Sequence, residues 1–303
     1  MRVFVTGATG FIGSAVVPEL IGAGHQVVGL ARSDASAAAL AAAGAEVQRG
    51  TLDDLDSLRG AATESNGVIH LAFKHDVAFS GDFQSAANAD LRAIETLGDA
   101  LKGSDKPLII ASGILGVAPG RLASEQDRPG AEAGPRAVSA QVTLDLASQG
   151  VRSSTLRLSP TVHGEGDPGF IAALIGIAHQ KGVSGYIGDG GNRWPAVHRL
   201  DAARLFRLAL EQAPAGSVLH GVADEGVPVR AIAEVVGRHL SLPVVSVPSE
   251  EASEHFGWLA GSIAADAPAS STLTRELLGW RPTHPGLLDD LEQGHYFTAR
   301  RSS

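Results

Sequence analysis

TGATGFIG, residues 6–13, follows the short β-branched run Val3–Thr6 and leads straight into the apolar stretch Phe11–Gly22. Its glycines at 7, 10 and 13 have separate physical reasons in a strand–turn–helix setting. Gly7 permits a tight turn, Gly10 lets the backbone approach a bound diphosphate, and Gly13 lets the helix pack close to the strand. The start of that helix carries free N–H groups and the positive end of its dipole, which attract phosphate. Gly7, Thr9, Gly10, Phe11, Ile12 and Gly13 are therefore candidate contacts to a dinucleotide.

Beyond this stretch, short β-branched runs alternate with alanine-rich helical patterns. Strands are expected at 3–6, 26–30, 46–49, 67–71, 107–111 and 154–158, with helices at 11–22, 35–43, 55–62, 85–101 and 136–149. Strands buried on both faces and joined by helical crossovers make a parallel sheet, so the fold class is α/β, a doubly wound parallel sheet of the Rossmann type. Beyond Pro160 the glycine-rich stretches 163–169 and 182–191 surround a helical pattern at 170–181. A helix at 201–212 and a strand at 218–222 return to the sheet. A helix at 228–240, a strand at 243–248 and a helix at 273–278 follow. The expected organisation is a dinucleotide-binding domain of residues 1–162 plus roughly 196–225. A smaller C-terminal substrate lobe takes roughly 163–195 and 226–303.

Composition narrows the function. The chain has 303 residues, 44% hydrophobic and 19% charged, enough for a large core. A net charge of −9 without a basic cluster argues against nucleic acid or an anionic membrane as partner. The lack of cysteine removes disulfides, thiolate metal sites and thiol nucleophiles. His and carboxylate residues fall in no metal-ligand spacing. No signal peptide or long apolar segment is present, so the expected setting is the cytoplasm and the expected partner a small-molecule substrate.

The end of the second strand selects the cofactor. An acidic side chain there would bond the free ribose hydroxyls of NAD(H). The sequence reads Leu30-Ala31-Arg32-Ser33-Asp34. Arg32 suits a 2′-phosphate and Ser33 adds a hydroxyl, so NADP(H) is expected over NAD(H). Asp34 keeps NAD(H) open, although Ser33 and Asp34 also suit the start of a helix.

Several further segments form an ordered set: Gly50-Thr51-Leu52-Asp53, His70-Leu71-Ala72, Arg157-Leu158-Ser159-Pro160-Thr161-Val162-His163-Gly164, Val197-His198-Arg199-Leu200-Asp201 and Leu278-Gly279-Trp280-Arg281-Pro282. Together with TGATGFIG they resemble the short-chain dehydrogenase/reductase superfamily. The likeness is to its extended or atypical branch, with the NAD-dependent epimerase/dehydratase relatives. The resemblance implies that Thr51 and Leu52 lie at the adenine, Leu71 and Ala72 under the cofactor, and Pro160 and Val162 beside the nicotinamide. It also implies a catalytic Ser112 and a homodimer through helices 85–101 and 136–149.

One departure governs the chemistry. The superfamily pattern Tyr-x-x-Ser-Lys reads here Arg136-Ala137-Val138-Ser139-Ala140, 24 residues past Ser112. A phenol titrates near 10, and the missing lysine normally brings it into range for proton transfer. Three answers follow. Another acid serves, His163 first and Tyr186 second. Or the substrate is an iminium or conjugated alkene that needs only hydrogen-bond stabilisation, with Ser112 as donor. Or the protein binds NADP without turnover, as a redox sensor. The reading that results is an NADP-dependent oxidoreductase acting on a small C=O, C=N or C=C compound. Its alternatives are the sensor and an epimerase/dehydratase-type enzyme. Lys74 is a candidate for the lost lysine's contact to the nicotinamide ribose. His75, Arg136, Tyr186 and Trp194 are candidate substrate contacts.

Overall fold

The computed structural model describes residues 1–129 and 134–298, so the last five residues of the expected lobe lie outside the described residues. Six strands open the chain: β1 (Arg2–Thr6), β2 (Gln26–Ala31), β3 (Glu46–Arg49), β4 (Gly67–His70), β5 (Pro107–Gly113) and β6 (Arg152–Leu158). β7 (Thr161–His163), β8 (Ser184–Ile187), β9 (Arg193–His198), β10 (Ser217–Gly221), β11 (Asp224–Pro228) and β12 (Val244–Val247) follow. The main sheet has seven strands in the order β10-β6-β5-β4-β1-β2-β3, all parallel. Its order reverses beside β1, between β4 and β2, which opens a crevice at the carboxyl ends of the strands where ligands bind in such sheets. Val3, Phe4, Val5, Val68, Ile69, Leu108 and Ile109 are all fully buried, which is why these strands read as unbroken apolar runs. Edge strand β3 is mostly exposed and carries charge.

The early helices are α1 (Gly13–Gly22), α2 (Asp34–Ala42), α3 (Leu55–Glu64), α4 (His75–Phe79), α5 (Phe83–Leu101) and α6 (Arg136–Asp145). Later helices include α7 (Phe170–Lys181), α8 (Arg199–Gln212) and α9 (Val229–Leu240). Ser33 caps α2, its hydroxyl accepting the Ser36 amide at 3.1 Å. α8 lies parallel to α1 on one face of the sheet. Arg207 reaches Glu19 at 2.7 Å, and His25 near the end of α1 reaches Glu211 at 2.9 Å. The other face is covered by α3, α5 and α6, whose Leu58, Ile94, Leu97 and Leu101 are buried against β4 and β5.

The second half builds a lobe around β11-β9-β7 and the two-stranded β12-β8. Its own core packs Trp194, Ile171, Ile232, Phe256 and Leu259. β10 returns to the main sheet beside β6. Residues 182–191, read from the sequence as a glycine-rich loop, contain β8. Only four residues pair with β12, and Gly182, Gly188 and Gly190 at positive φ bound them, so no apolar alternation was visible. The expected helix 136–149 ends early, its last turn tightening to a 3-10 helix at Leu146–Gln149.

His220, fully buried on β10, gives the fold a pH dependence. Its Nδ1–H donates to the Ser270 carbonyl at 2.8 Å, and Nε2 accepts from Arg157 at 3.3 Å. Burial first, then the Arg157 charge, lowers the imidazole to about 4, against the opposing pull of Ser270 and Glu125. The unfolded chain's histidine binds a proton near 6.5. Stability from this group is therefore complete above 6.5 and is lost as the pH falls toward 4. Urea unfolding should show a lower midpoint at pH 5 than at pH 7, and His220→Gln should shrink that difference by about 2 kcal/mol. An equal or larger difference in the variant contradicts the assignment.

Candidate active site

The turn between β1 and α1 leaves no room for side chains where it touches β4. A Cβ on Gly7, whose φ is +66°, would lie 2.7 Å from the Ala72 nitrogen and 2.8 Å from the Leu71 carbonyl carbon. One on Gly13 would fall 2.1 Å from the Gly7 oxygen. Gly10 differs. It is exposed, and its Cβ would meet only the Gly7 oxygen, at 3.2 Å. No side chain caps the start of α1, and the amides of Phe11 and Ile12 have no partner among the described residues. Tight glycines beneath, an open glycine above and free amides at a helix start fit a dinucleotide diphosphate. Thr9 is exposed beside Gly10, whereas Ala8 is buried.

Around that turn, Arg32 stands just past β2, 75% exposed, with Asp76 at 3.9 Å its only ion-pair partner among the described residues. The Asp34 carboxylate is turned away to Arg49 at 2.6 Å. Thr51 accepts the Asp53 amide at 3.2 Å, and Leu52 is buried in the core beside β2. Leu71 and Ala72 are half-buried where they pass under Gly7. Pro160 links β6 to β7, and Val162 packs against the main core. Lys74 departs from the sequence expectation. Its ammonium is engaged by the Asp53 carboxylate at 2.6 and 2.8 Å.

Arg136 occupies the position at which the superfamily pattern has tyrosine. Arg136 opens α6 and donates from Nη2 to the Ala111 carbonyl at 2.8 Å, one residue before Ser112. Its guanidinium lies 4.4 Å from the Phe73 ring centroid. Its Nε is 3.8 Å from Asp90 Oδ2, within ion-pair reach but too long for a hydrogen bond. Asp90, fully buried in α5, meets His70 Nε2 through Oδ1 at 3.2 Å. His70 Nδ1 in turn lies 2.8 Å from Thr6 Oγ1, which accepts the Ala72 amide at 3.3 Å. A line of contacts thus runs from the glycine turn to Arg136. Burial would raise the Asp90 carboxyl, but His70 and the Arg136 charge outweigh it and hold it below the usual range. His75 joins the cluster with its ring 5.2 Å from Phe73, and burial, then Arg136, lower its imidazole. Ser112 is half-buried, and its hydroxyl has no partner among the described residues.

Arg136 and His75 are thereby brought together around Phe73, with Ser112 next in the chain to the carbonyl that Arg136 bonds; three other candidates stand elsewhere. His163 has no exposed surface. Its Nδ1 is held by Asp290 at 2.8 Å, and its ring packs edge-on against His198. That interior setting corrects the expectation of a proton donor facing substrate. Trp194 is not a pocket wall but the largest side chain of the lobe core, bonded through Nε1 to the Ser262 carbonyl at 3.2 Å. Tyr186 on β8 lies under Arg230, 5.5 Å from ring to guanidinium, and packs on that same core rather than beside Ser112. The other tyrosine, Tyr296, donates to Asp167 at 2.8 Å, and burial first, then that carboxylate, raises its phenol. Asp90 escaped the sequence reading. Its one signal was an acid in register with Ala86, Ala93 and Leu97 on the apolar face of the 85–101 pattern. Trp194→Ala should cost about 3–5 kcal/mol in urea unfolding. A loss below ~1 kcal/mol would return Trp194 to the role of pocket wall.

Known proteins add the following. The family model described as "NAD dependent epimerase/dehydratase family" matches residues 3–220. An uncharacterised protein of Schizosaccharomyces pombe is 51% identical, the match covering 98% of this chain and 100% of the relative. One of Saccharomyces cerevisiae is 46% identical over 97% of this chain and 99% of the relative. A 3-diazoavenalumate denitrifying reductase of Streptomyces is 27% identical over 96% and 99%. The Thermus thermophilus UDP-glucose 4-epimerase, solved with NAD, superposes with a TM-score of 0.75 at 22% identity, covering 99% of this chain and 100% of that one. That likeness concerns the fold.

Proposed function

The chain belongs to the NAD dependent epimerase/dehydratase family, and from that premise we propose that it is an NADP(H)-dependent oxidoreductase acting on a small organic C=O, C=N or C=C compound. The observation that carries this is Arg136, a permanently charged group at the sequence position of the superfamily tyrosine, held on the Ala111 carbonyl one residue before Ser112. Gly10, Phe11 and Ile12 would hold the diphosphate, with Arg32 and Ser33 at the 2′-phosphate. The nicotinamide, when bound, supplies or accepts the hydride.

In the reduction direction the electron pair displaced from the double bond collects on the substrate's heteroatom or α-carbon. The Ser112 hydroxyl and the Arg136 guanidinium face that charge and stabilise it. A guanidinium does not titrate near neutrality, so it stabilises an oxyanion without giving up its proton. Water then protonates the product. Phe73 and His75 form the wall beside Arg136. A relative described as a reductase is in keeping with this reading.

NADPH consumption over a panel of ketones, imines and enones tests the proposal. Oxidation with at least one class is expected. Dinucleotide binding with silence throughout favours the sensor. Arg136→Gln should lower kcat about 30-fold or more while leaving NADPH affinity within ~2-fold, and Arg136→Lys should lose less. The wild-type kcat should stay flat from about pH 6 to 9, because neither group titrates there. A single break near 7 that Arg136→Gln leaves in place would assign the proton to another residue. Arg32→Ala should reduce the preference for NADPH over NADH by about tenfold; an unchanged preference refutes the 2′-phosphate assignment.

A further inference from the structure

Arg199 lies outside the Arg136 cluster. It is the first residue of α8, and its guanidinium lies 5.2 Å from the Phe11 ring centroid, over the glycine turn. Because α8 runs parallel to α1, as the Arg207–Glu19 and His25–Glu211 pairs show, the two helix starts share one end of the molecule. The stem of Arg199 is fixed from the other side. Gly164 has a φ of +136°, and a Cβ there would lie 3.3 Å from the Arg199 Cγ and 3.0 Å from His198 Nε2. Among the described residues the guanidinium has no hydrogen-bond or ion-pair partner, although it carries five N–H donors. The nearest acid in sequence, Asp201, is already taken by the Thr283 and His284 amides and the His284 ring. Desolvating one face of an arginine against an aromatic ring while leaving its donors unmatched is the arrangement of a group that awaits an anion.

We infer that Arg199 clamps the dinucleotide diphosphate from the side opposite the Phe11 and Ile12 amides. This rests on the dinucleotide reading above and adds a residue contributed by the second half of the chain. The diphosphate would then join two segments almost 190 positions apart, residues 10–12 and 199. Arg32 and Arg199 thereby divide the cofactor's charge, one at the adenosine ribose and one at the diphosphate.

Competition against NADPH with ADP-ribose and with adenosine separates this role from a structural one. In Arg199→Gln, ADP-ribose should bind about tenfold more weakly and adenosine within twofold of wild type. Arg199→Lys should recover part of the loss. Phe11→Leu, which removes the platform and keeps the amide, should weaken ADP-ribose in the same direction and serves if Arg199→Gln fails to fold. Unchanged ADP-ribose binding, or equal losses for both ligands, overturns the clamp. If the wild-type protein binds neither NADPH nor NADH, the dinucleotide reading itself falls, an outcome distinct from a silent Arg199 substitution.

Discussion

Asp90 is a carboxylate with no exposed surface, set among the apolar residues of α5. Burying such a charge is costly unless partners surround it, and removing one partner of a buried pair costs about 3–5 kcal/mol. Its partners are His70 on β4 and Arg136 on α6. The pairing therefore fixes three elements at once and turns Arg136 inward, toward Ala111 and Phe73. Through His70 and Thr6 it also reaches the β1–α1 turn that would hold a dinucleotide. That carboxylate lies within ion-pair reach of the arginine and so helps to orient it.

The chemistry follows from that placement. A phenol–ammonium pair works by titrating; a guanidinium braced by a buried acid works by staying as it is. Under the proposed function, such a site would suit substrates whose hydride acceptor is already polarised, or whose product anion needs only stabilising. With an overall charge of −9, the protein nonetheless presents Arg32, Arg136 and Arg199 along the carboxyl edge of its sheet. Electrostatic attraction there is local, set by side chains each held in a defined place, rather than a property of the whole surface.

Much of this was legible in the sequence. The glycine turn and the strands of the main sheet declared themselves because residues buried on both faces leave continuous apolar runs. β8 did not, since four residues between glycines carry no period. In the site, only the backbone's demands were directly legible, as with Gly7 and Gly13, where a Cβ would strike the neighbouring chain. Arg136 stood out as a substitution, but its meaning depends on Asp90, His70 and Phe73, which reach it from other elements. His163 and Trp194 failed as site candidates for one shared reason. Polar or aromatic character marks a residue as functional only when it faces the crevice, and both are closed inside the lobe, one by Asp290 and the other by core packing.

Isotope effects on the reductive half-reaction test the central claim, that Arg136 stabilises charge and no protein acid moves with the hydride. With NADPH deuterated at the transferred position, single-turnover oxidation should slow several-fold. In D2O the same step should keep its rate, because water protonates the product only afterwards. A solvent effect on the hydride step that survives in Arg136→Gln would show a proton in flight from another residue and contradict the account.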